Sequence, residues 1–382
     1  SAAQTAPTAE ATRVSARAAG LRGTPPQSTQ VPGGEPAAQA FPVMPNVAVL
    51  PVDPPGRPAA DELDVCGVGR IKAEASHVAN PSDPTEPAVK VHGLPKDLSA
   101  RGLAEAWAPT LQALSAGASP RQRAAALLMR MYSPQSTPGP DSTDAAPALR
   151  TALARLAMES QDPAVMAWAQ GECNRAVGDG SCLGLTARHW VRAEPGNLIA
   201  WLSLMAEEPV ARTEALHGMA NATTADMRFG LFMATAMAAA PATLSTFARQ
   251  ELALNLIDIH VATPLPMLSG MVRECKAPAL ADANRRQQCD AIVKVLVHHS
   301  RELLTWALGL RMAETLGWPA PQLAALQSEK AAIQTAMPLG DLHQPYSCAS
   351  TLSTQRWIRD MGANGELATL RSARQKAAAA GG

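Results

Sequence analysis

The sequence predicts an all-α fold built as an antiparallel helix-pair array, either a solenoid or a bundle, preceded by a disordered N-terminal tether. Three observations carry that expectation. Hydrophobic residues make up 47% of the 382 positions but aromatic ones only 3%, so Ala and Leu supply the apolar surface. Those two residues lead the helix scale, and few β-branched or aromatic runs are left to form strands. Next, Asp162-Pro163 leading to Trp168 and Glu194-Pro195 leading to Trp201 are two copies of one design, with the Trp residues 33 positions apart. Proline suits a first helical turn and an acid before it can accept from the free amides, while a period near 33 is that of stacked helix pairs. Finally, apolar residues recur at helical spacing between turn signals, as in Leu103, Trp107, Leu111 and Leu114.

In chain order, residues 1–60 are rich in Pro, Ala, Gly, Ser, Thr and Gln, with Pro-Pro at 25 and 54 and Gly-Gly at 33. Such a composition buries too little apolar area to offset the entropy of ordering, and it reads as a tether. Phe41 to Val52 is more apolar and could dock on the body as an extended strip. Residues 61–97 read as an irregular Cys-containing segment packed on the body, in which Gly67-x-Gly69 is a turn that positions Cys66, with no strand and helix framing it as a dinucleotide fingerprint requires.

Residues 98–362 read as the helical-repeat domain. Helices are expected over Leu98–Ser115, Ser119–Met131, Ala148–Ser160, from Asp162 through Trp168, Thr186–Ala193, from Glu194, Pro209–Ala220, Ala225–Ala240 and Thr243–His260. Pro264 and Pro266 then break the run. Further helices are expected from Met271, over Ala281–Leu316 as one segment, over Pro321–Ala336 and over Leu352–Met361. Residues 363–382 read as a frayed tail. Phe229 to Ala248 has no charged residue and could mimic a membrane span, but Pro241 and its Ala-rich composition favour a buried helix pair.

Six cysteines are present: Cys66, Cys173, Cys182, Cys275, Cys289 and Cys348. None has C-x2-C spacing, and two pairs are nine and fourteen positions apart, so disulfides are expected rather than a zinc site. Each short loop closed in this way would restrict the unfolded chain by about 3 kcal/mol. Cys66 and Cys348 are left over, and spacing alone does not choose among fifteen connectivities. Disulfides imply an oxidising compartment, periplasmic or otherwise exported. The start at Ser-Ala-Ala resembles the residues near a signal-peptide cleavage site, and the proline-rich prefix would suit a spacer from a membrane tether upstream of residue 1.

Glu194-Pro-Gly-Asn-Leu-Ile-Ala-Trp201-Leu-Ser-Leu204, with Thr186 to Ala193 before it, resembles a junction of tetratricopeptide repeats, in which a Pro closes one helix pair and a Trp and a Leu open the next. The resemblance covers about 50 residues and is degenerate, since no Gly-x2-Tyr follows Trp201 and the loop from Cys173 to Cys182 is long. It assigns structural roles to Pro163, Trp168, Trp190, Pro195, Trp201 and Leu204. The chain is also similar to exported helical proteins of Gram-negative bacteria that carry paired Cys and this junction, a likeness that brings no activity with it.

For chemistry, His298-His299-x-x-Glu302 is the strongest candidate, because residues four apart share a helix face from which both could reach a metal. No third ligand is identifiable, and it is not the H-E-x-x-H pattern, so no metal and no cofactor is assigned. Ser181 lacks the G-x-S-x-G elbow of a serine hydrolase. Lys plus Arg and Asp plus Glu both total 33, without a basic run, which excludes nucleic acid as the expected partner. The expected function is therefore non-catalytic binding of a protein or peptide on a concave helical surface. The alternative is a metal-dependent envelope enzyme using His298, His299 and Glu302.

Overall fold

A computed structural model describes residues 51–78, 89–133, 145–176, 178, 180–206, 208–262, 268–335 and 344–380. The tether expected over 1–60 therefore lies outside the described residues up to 50, as does most of the apolar strip from Phe41. Residues 51–60 belong to the fold. The Asp53 carboxylate accepts from the Cys348 amide at 2.8 Å, and the Gly56 carbonyl accepts from Arg70 at 2.6 Å.

The segment expected to be irregular contains two antiparallel hairpins, β1 (Glu62–Val65) with β2 (Gly69–Lys72) and β3 (Glu74–Val78) with β4 (Val89–Gly93). This corrects the sequence reading. Leu63 pairs with Ile71 and Asp64 with Arg70, so Leu63 and Val65 bury against Phe247 in a small cluster of their own. A four-residue strand gives too short an alternation to stand out in a helical background. The turn at Cys66 is as expected, and Gly67 (φ 83°) and Gly69 (φ 105°) supply its left-handed backbone.

Fifteen α-helices follow among the described residues. They are α1 (Lys96–Ala116), α2 (Pro120–Met131), α3 (Ala145–Ser160), α4 (Pro163–Arg175), α5 (Ala187–Ala193), α6 (Leu198–Trp201, prolonged by a 3-10 turn, Leu202–Ala206), α7 (Pro209–Ala220) and α8 (Phe229–Ala239). Then come α9 (Thr246–Ala262), α10 (Ser269–Glu274), α11 (Ala283–His299), α12 (Leu303–Leu316), α13 (Ala320–Thr335), α14 (Cys348–Asn364) and α15 (Glu366–Ala380). Their starts are chemically marked. Ser119 and Gln122 form a reciprocal capping box on α2, Asp162 accepts from the Ala164 and Val165 amides with Pro163 in the first turn of α4, and Asn197 accepts from the Ile199 amide.

Each helix from α1 to α6 packs on its successor. After that, sequence order and spatial order part. α11 lies against α7, then α12, α13, α15 and α14 follow by contact, and α14 packs on α8 and α9, which return to α1. One continuous core runs through all of these, with Leu114, Met129, Leu153, Met166, Leu198 and Trp306 fully enclosed. The Phe229–Ala248 stretch is α8, a turn and the start of α9; no helix among the described residues is long and apolar enough to cross a membrane.

Two further expectations are corrected. The single helix over Ala281–Leu316 is two, because Ser300 and Glu302 are extended (ψ 142° and 147°). The tail expected to fray is α15, whose Leu367 and Leu370 are buried in the core. α8 and α14 approach closely at glycines. A Cβ on Gly362 would stand 2.2 Å from the Ala234 Cβ, and one on Gly230 would stand 2.9 Å from the Met361 carbonyl. Gly362→Ala is accordingly expected to cost about 1 to 3 kcal/mol in urea denaturation, although alanine is the better helix former. A neutral result would mean that the two helices can separate freely.

Candidate functional site

Four helix junctions lie edge to edge, and the last three of them border the site. The Leu198 amide donates to the Thr224 carbonyl and the Thr223 and Thr224 amides to the Gly196 carbonyl. In the next step the Ala225 amide donates to the His299 carbonyl and the Arg301 amide to the Ala225 carbonyl, and in the last the Leu367 amide donates to the Arg301 carbonyl. Residues 196–198, 223–226, 299–301 and 365–367 thus make a short ladder between helices. These are chain reversals whose polar backbone would otherwise be buried unpaired.

Side chains repeat the same step. The Asn197 Oδ1 accepts from the Asp226 amide (3.0 Å), the Glu302 Oε1 from the Met227 amide (2.8 Å), and the Glu366 Oε2 from the Leu303 amide (2.9 Å). The first of these runs from the earlier junction to the later one, and in the other two a carboxylate satisfies an amide near the start of the helix in the junction before it. Asp226 is the hub. Its Oδ1 accepts from the Arg228 amide at 2.8 Å, and its Oδ2 from Arg228 Nη1 at 3.0 Å and Arg301 Nε at 3.1 Å. Arg228 also pairs with Glu194, which accepts in turn from Trp190 Nε1 and Asn197 Nδ2. Burial works against the Arg228 charge, but Asp226 and Glu194 outweigh it and hold the guanidinium above its usual value. Arg228 has a left-handed backbone (φ 62°), unusual for a non-glycine residue, and its carbonyl accepts from Trp168 Nε1 at 3.1 Å.

Beside these junctions is a cavity of about 500 Å³. Phe229, Leu231, Leu303 and Met361 contribute apolar wall, and Arg228, Arg301, Lys330, His260, Glu302 and Glu366 contribute polar groups. Val261 (78% exposed) and Leu304 (40% exposed) stand at its opening as two of the few exposed large aliphatic side chains among the described residues. Burial, then the charge of Asp226, holds the Glu302 carboxyl well above the usual carboxylate range, opposed by the Met227 amide. Burial also raises Glu366 and lowers His260, so both neutral forms are favoured.

Because Glu302 binds its proton more tightly folded than unfolded, its contribution to stability is complete at low pH and is lost as pH rises above about 4.5. Glutamine copies the protonated form and does not titrate. Glu302→Gln is therefore expected to match the native protein at pH 4 and to exceed it as pH rises above the ordinary carboxylate range, with a slope of up to about 1.4 kcal/mol per pH unit until the buried carboxyl ionises. Urea midpoints of both proteins from pH 4 upward measure the difference, and a constant gap would contradict the assignment.

The residues singled out in the sequence fall in several places. All six cysteines are paired, as Cys66–Cys348, Cys173–Cys182 and Cys275–Cys289. The first ties the β1–β2 turn to the start of α14, the second closes the turn after α4, and the third joins the end of α10 to α11. Of the junction residues, Pro163 opens α4, Trp168 and Trp190 are buried beside Arg228 and Glu194, and Leu204 is core. Trp201 Nε1 donates to the Pro195 carbonyl at 2.9 Å while its ring covers Gly218.

The His298, His299 and Glu302 constellation is not assembled. α11 ends at His299 and Glu302 stands in the extended link before α12, so the shared helix face does not exist. Both histidines are exposed, with His298 stacked on Trp318 at 6.1 Å, whereas Glu302 is buried toward Asp226. No cluster of three or more metal-ligating side chains occurs among the described residues.

Sequence reasoning passed over Asp226, Arg228, Arg301 and Glu366. A signal for Asp226 was present, since Asp162, Glu194 and Asp226 follow one another at intervals of 32 positions, each shortly before a helix start. No family model, curated protein or solved structure matches the chain, so the site rests on its own geometry.

Proposed function

We propose that this is a non-catalytic helical-repeat protein of the periplasm, or another exported compartment, that binds a protein or peptide segment in the cavity beside the junction ladder. The observation that carries this reading is the cavity itself. At about 500 Å³ it lies within the ordinary range for ligand sites, with apolar walls and a few fixed polar groups. Asp226, Glu302 and Glu366 are each engaged in holding a junction amide, which gives them a structural task and leaves the apolar wall to supply affinity. Three disulfides fit an oxidising compartment, and the resemblance to tetratricopeptide junctions fits a peptide-binding role.

Ala307 lines the cavity from α12, and a tryptophan there would fill much of it. Selection of displayed peptides against the oxidised full chain is expected to enrich sequences that bind the native protein and not a folded Ala307→Trp variant. Enrichment of peptides that bind both equally, or no enrichment, would overturn the proposal.

A further inference from the structure

Among the carboxylate oxygens around the cavity, one is left for a ligand. Both Asp226 oxygens are taken by Arg228 and Arg301, Glu302 Oε1 by the Met227 amide, and Glu366 Oε2 by the Leu303 amide. Glu302 Oε2 has no partner but is enclosed, out of reach of an entering group. Glu366 Oε1 remains, on a residue that lines the cavity, with no donor among the described residues. Charge narrows what can approach it. A cation would come up against Lys330 on the α13 wall and the Arg228 and Arg301 guanidiniums, and an anion would come up against Glu366 itself. A neutral donor meets neither repulsion and supplies the carboxylate with a hydrogen bond of the stronger, charge-assisted class.

The rest of the wall suits an aromatic ring. Phe229 and Leu303 offer apolar surface, and Met361 adds a thioether, which packs favourably at a ring edge. Lys330 can lie over a ring face, as Arg371 does over Trp306 at 5.8 Å from the ring centre, beside the cavity-lining Ala307. An aromatic ring that carries one neutral donor and no acceptor is an indole. The chain itself pairs indoles with carboxylates, since Trp190 Nε1 donates to Glu194 at 3.2 Å and Trp318 Nε1 to Asp290 at 2.9 Å.

We infer that the cavity receives the indole ring of a tryptophan in the bound segment, its N–H donating to Glu366 Oε1 and its ring packed on Phe229, Leu303 and Met361. This rests on the peptide-binding reading and names the residue that anchors the peptide. Tryptophan side chains seated in desolvated pockets are among the few residues that carry most of the energy of an interface.

Fluorescence anisotropy on the oxidised full chain tests it at about pH 8, which favours the ionised form of Glu366 against its burial. The probes are labelled hexapeptides, capped at both ends and identical except at one central position. That position holds tryptophan or benzothienylalanine, the isostere in which sulfur replaces the indole N–H. The tryptophan peptide is expected to bind at least about tenfold more tightly, the size of one charge-assisted hydrogen bond. Glu366→Gln keeps an oxygen for the Leu303 amide and turns an amide NH2 toward the cavity. It should bring the ratio close to one, and unchanged affinity for the benzothienyl peptide shows that its cavity is intact. Ala307→Trp should abolish binding of both peptides. Equal binding of the two by the native protein, with loss of both in Ala307→Trp, would overturn the indole inference and leave the peptide reading standing, as would a preference that Glu366→Gln does not change. Free indole provides the second arm. If it binds in a Glu366-dependent way while neither peptide binds, the occupant is a small indole compound, and the peptide reading falls together with the tryptophan assignment. Both also fall if no probe binds.

Discussion

Replacing Cys66 and Cys348 together by alanine is expected to lower the stability of the oxidised protein by about 4 to 5 kcal/mol, the largest effect of any single bridge. The reason is loop length. This disulfide spans 282 positions, whereas Cys173–Cys182 spans 9 and Cys275–Cys289 spans 14, for which about 3 kcal/mol each is expected. The long bridge also has company in the folded state. The Cys66 amide donates to the Tyr346 carbonyl at 2.9 Å, the Asp64 amide to Gln344 Oε1 at 3.0 Å, and the Cys348 amide to Asp53. Those contacts fix the β1–β2 hairpin to the start of α14 and have to be re-formed without a tether in the variant. Urea denaturation of the three double variants under non-reducing conditions gives the comparison. Equal losses for the long and short loops would contradict the entropic account.

Asp226→Ala is expected to cost about 2 to 3 kcal/mol, because it leaves two partly exposed guanidinium groups without their shared buried counter-charge. Asp226 is 4% exposed and touches Arg228, Arg301 and the Arg228 amide, so its loss also frees the left-handed turn into α8. A second variant separates charge from packing. In Asp226→Ala combined with Arg301→Met, one of the two stranded cations is gone, and the double variant is expected to recover about 1 kcal/mol or more relative to the sum of the single losses. Additive losses in that cycle would mean that the pair is not coupled.

Much of the helical framework was legible because its punctuation is local. Ser119-Pro120, Asp162-Pro163 and Pro209 each open a helix with residues that satisfy or dispense with first-turn amides, and such signals act over a few positions. The hairpins were not legible, since Leu63, Val65 and Ile71 offer only a brief alternation and find their partner in Phe247 from α9. The break between α11 and α12 escaped for a related reason. Ser300, Arg301 and Glu302 read as helical in their own context and are drawn out of the helix by backbone bonds to Ala225, some 75 positions earlier. α15 looked like a fraying tail because Leu367 and Leu370 are few among Ala, Arg and Lys, although both reach the core.

The site was the least legible part. Glu302 was singled out for the wrong neighbours, with His298 and His299, when its partners Met227 and Asp226 come from a junction far away in sequence. Local spacing reports shared helix faces and cannot report the stacking of junctions, which is where Asp226, Arg228, Arg301 and Glu366 meet. Only a repeated interval, such as the 32 positions separating Asp162, Glu194 and Asp226, carries that kind of information in one chain.

Hydrogen exchange of the oxidised full chain, with and without a peptide selected by the native protein, tests most directly the proposal that the cavity beside the junction ladder takes a peptide segment. Peptide binding is expected to slow exchange over residues 226–231, 301–307 and 361–366, three of the segments that meet at the cavity. Unchanged exchange in all three, with slowing confined to α1–α3 or to the β1–β2 hairpin, would place the binding surface elsewhere and contradict the account.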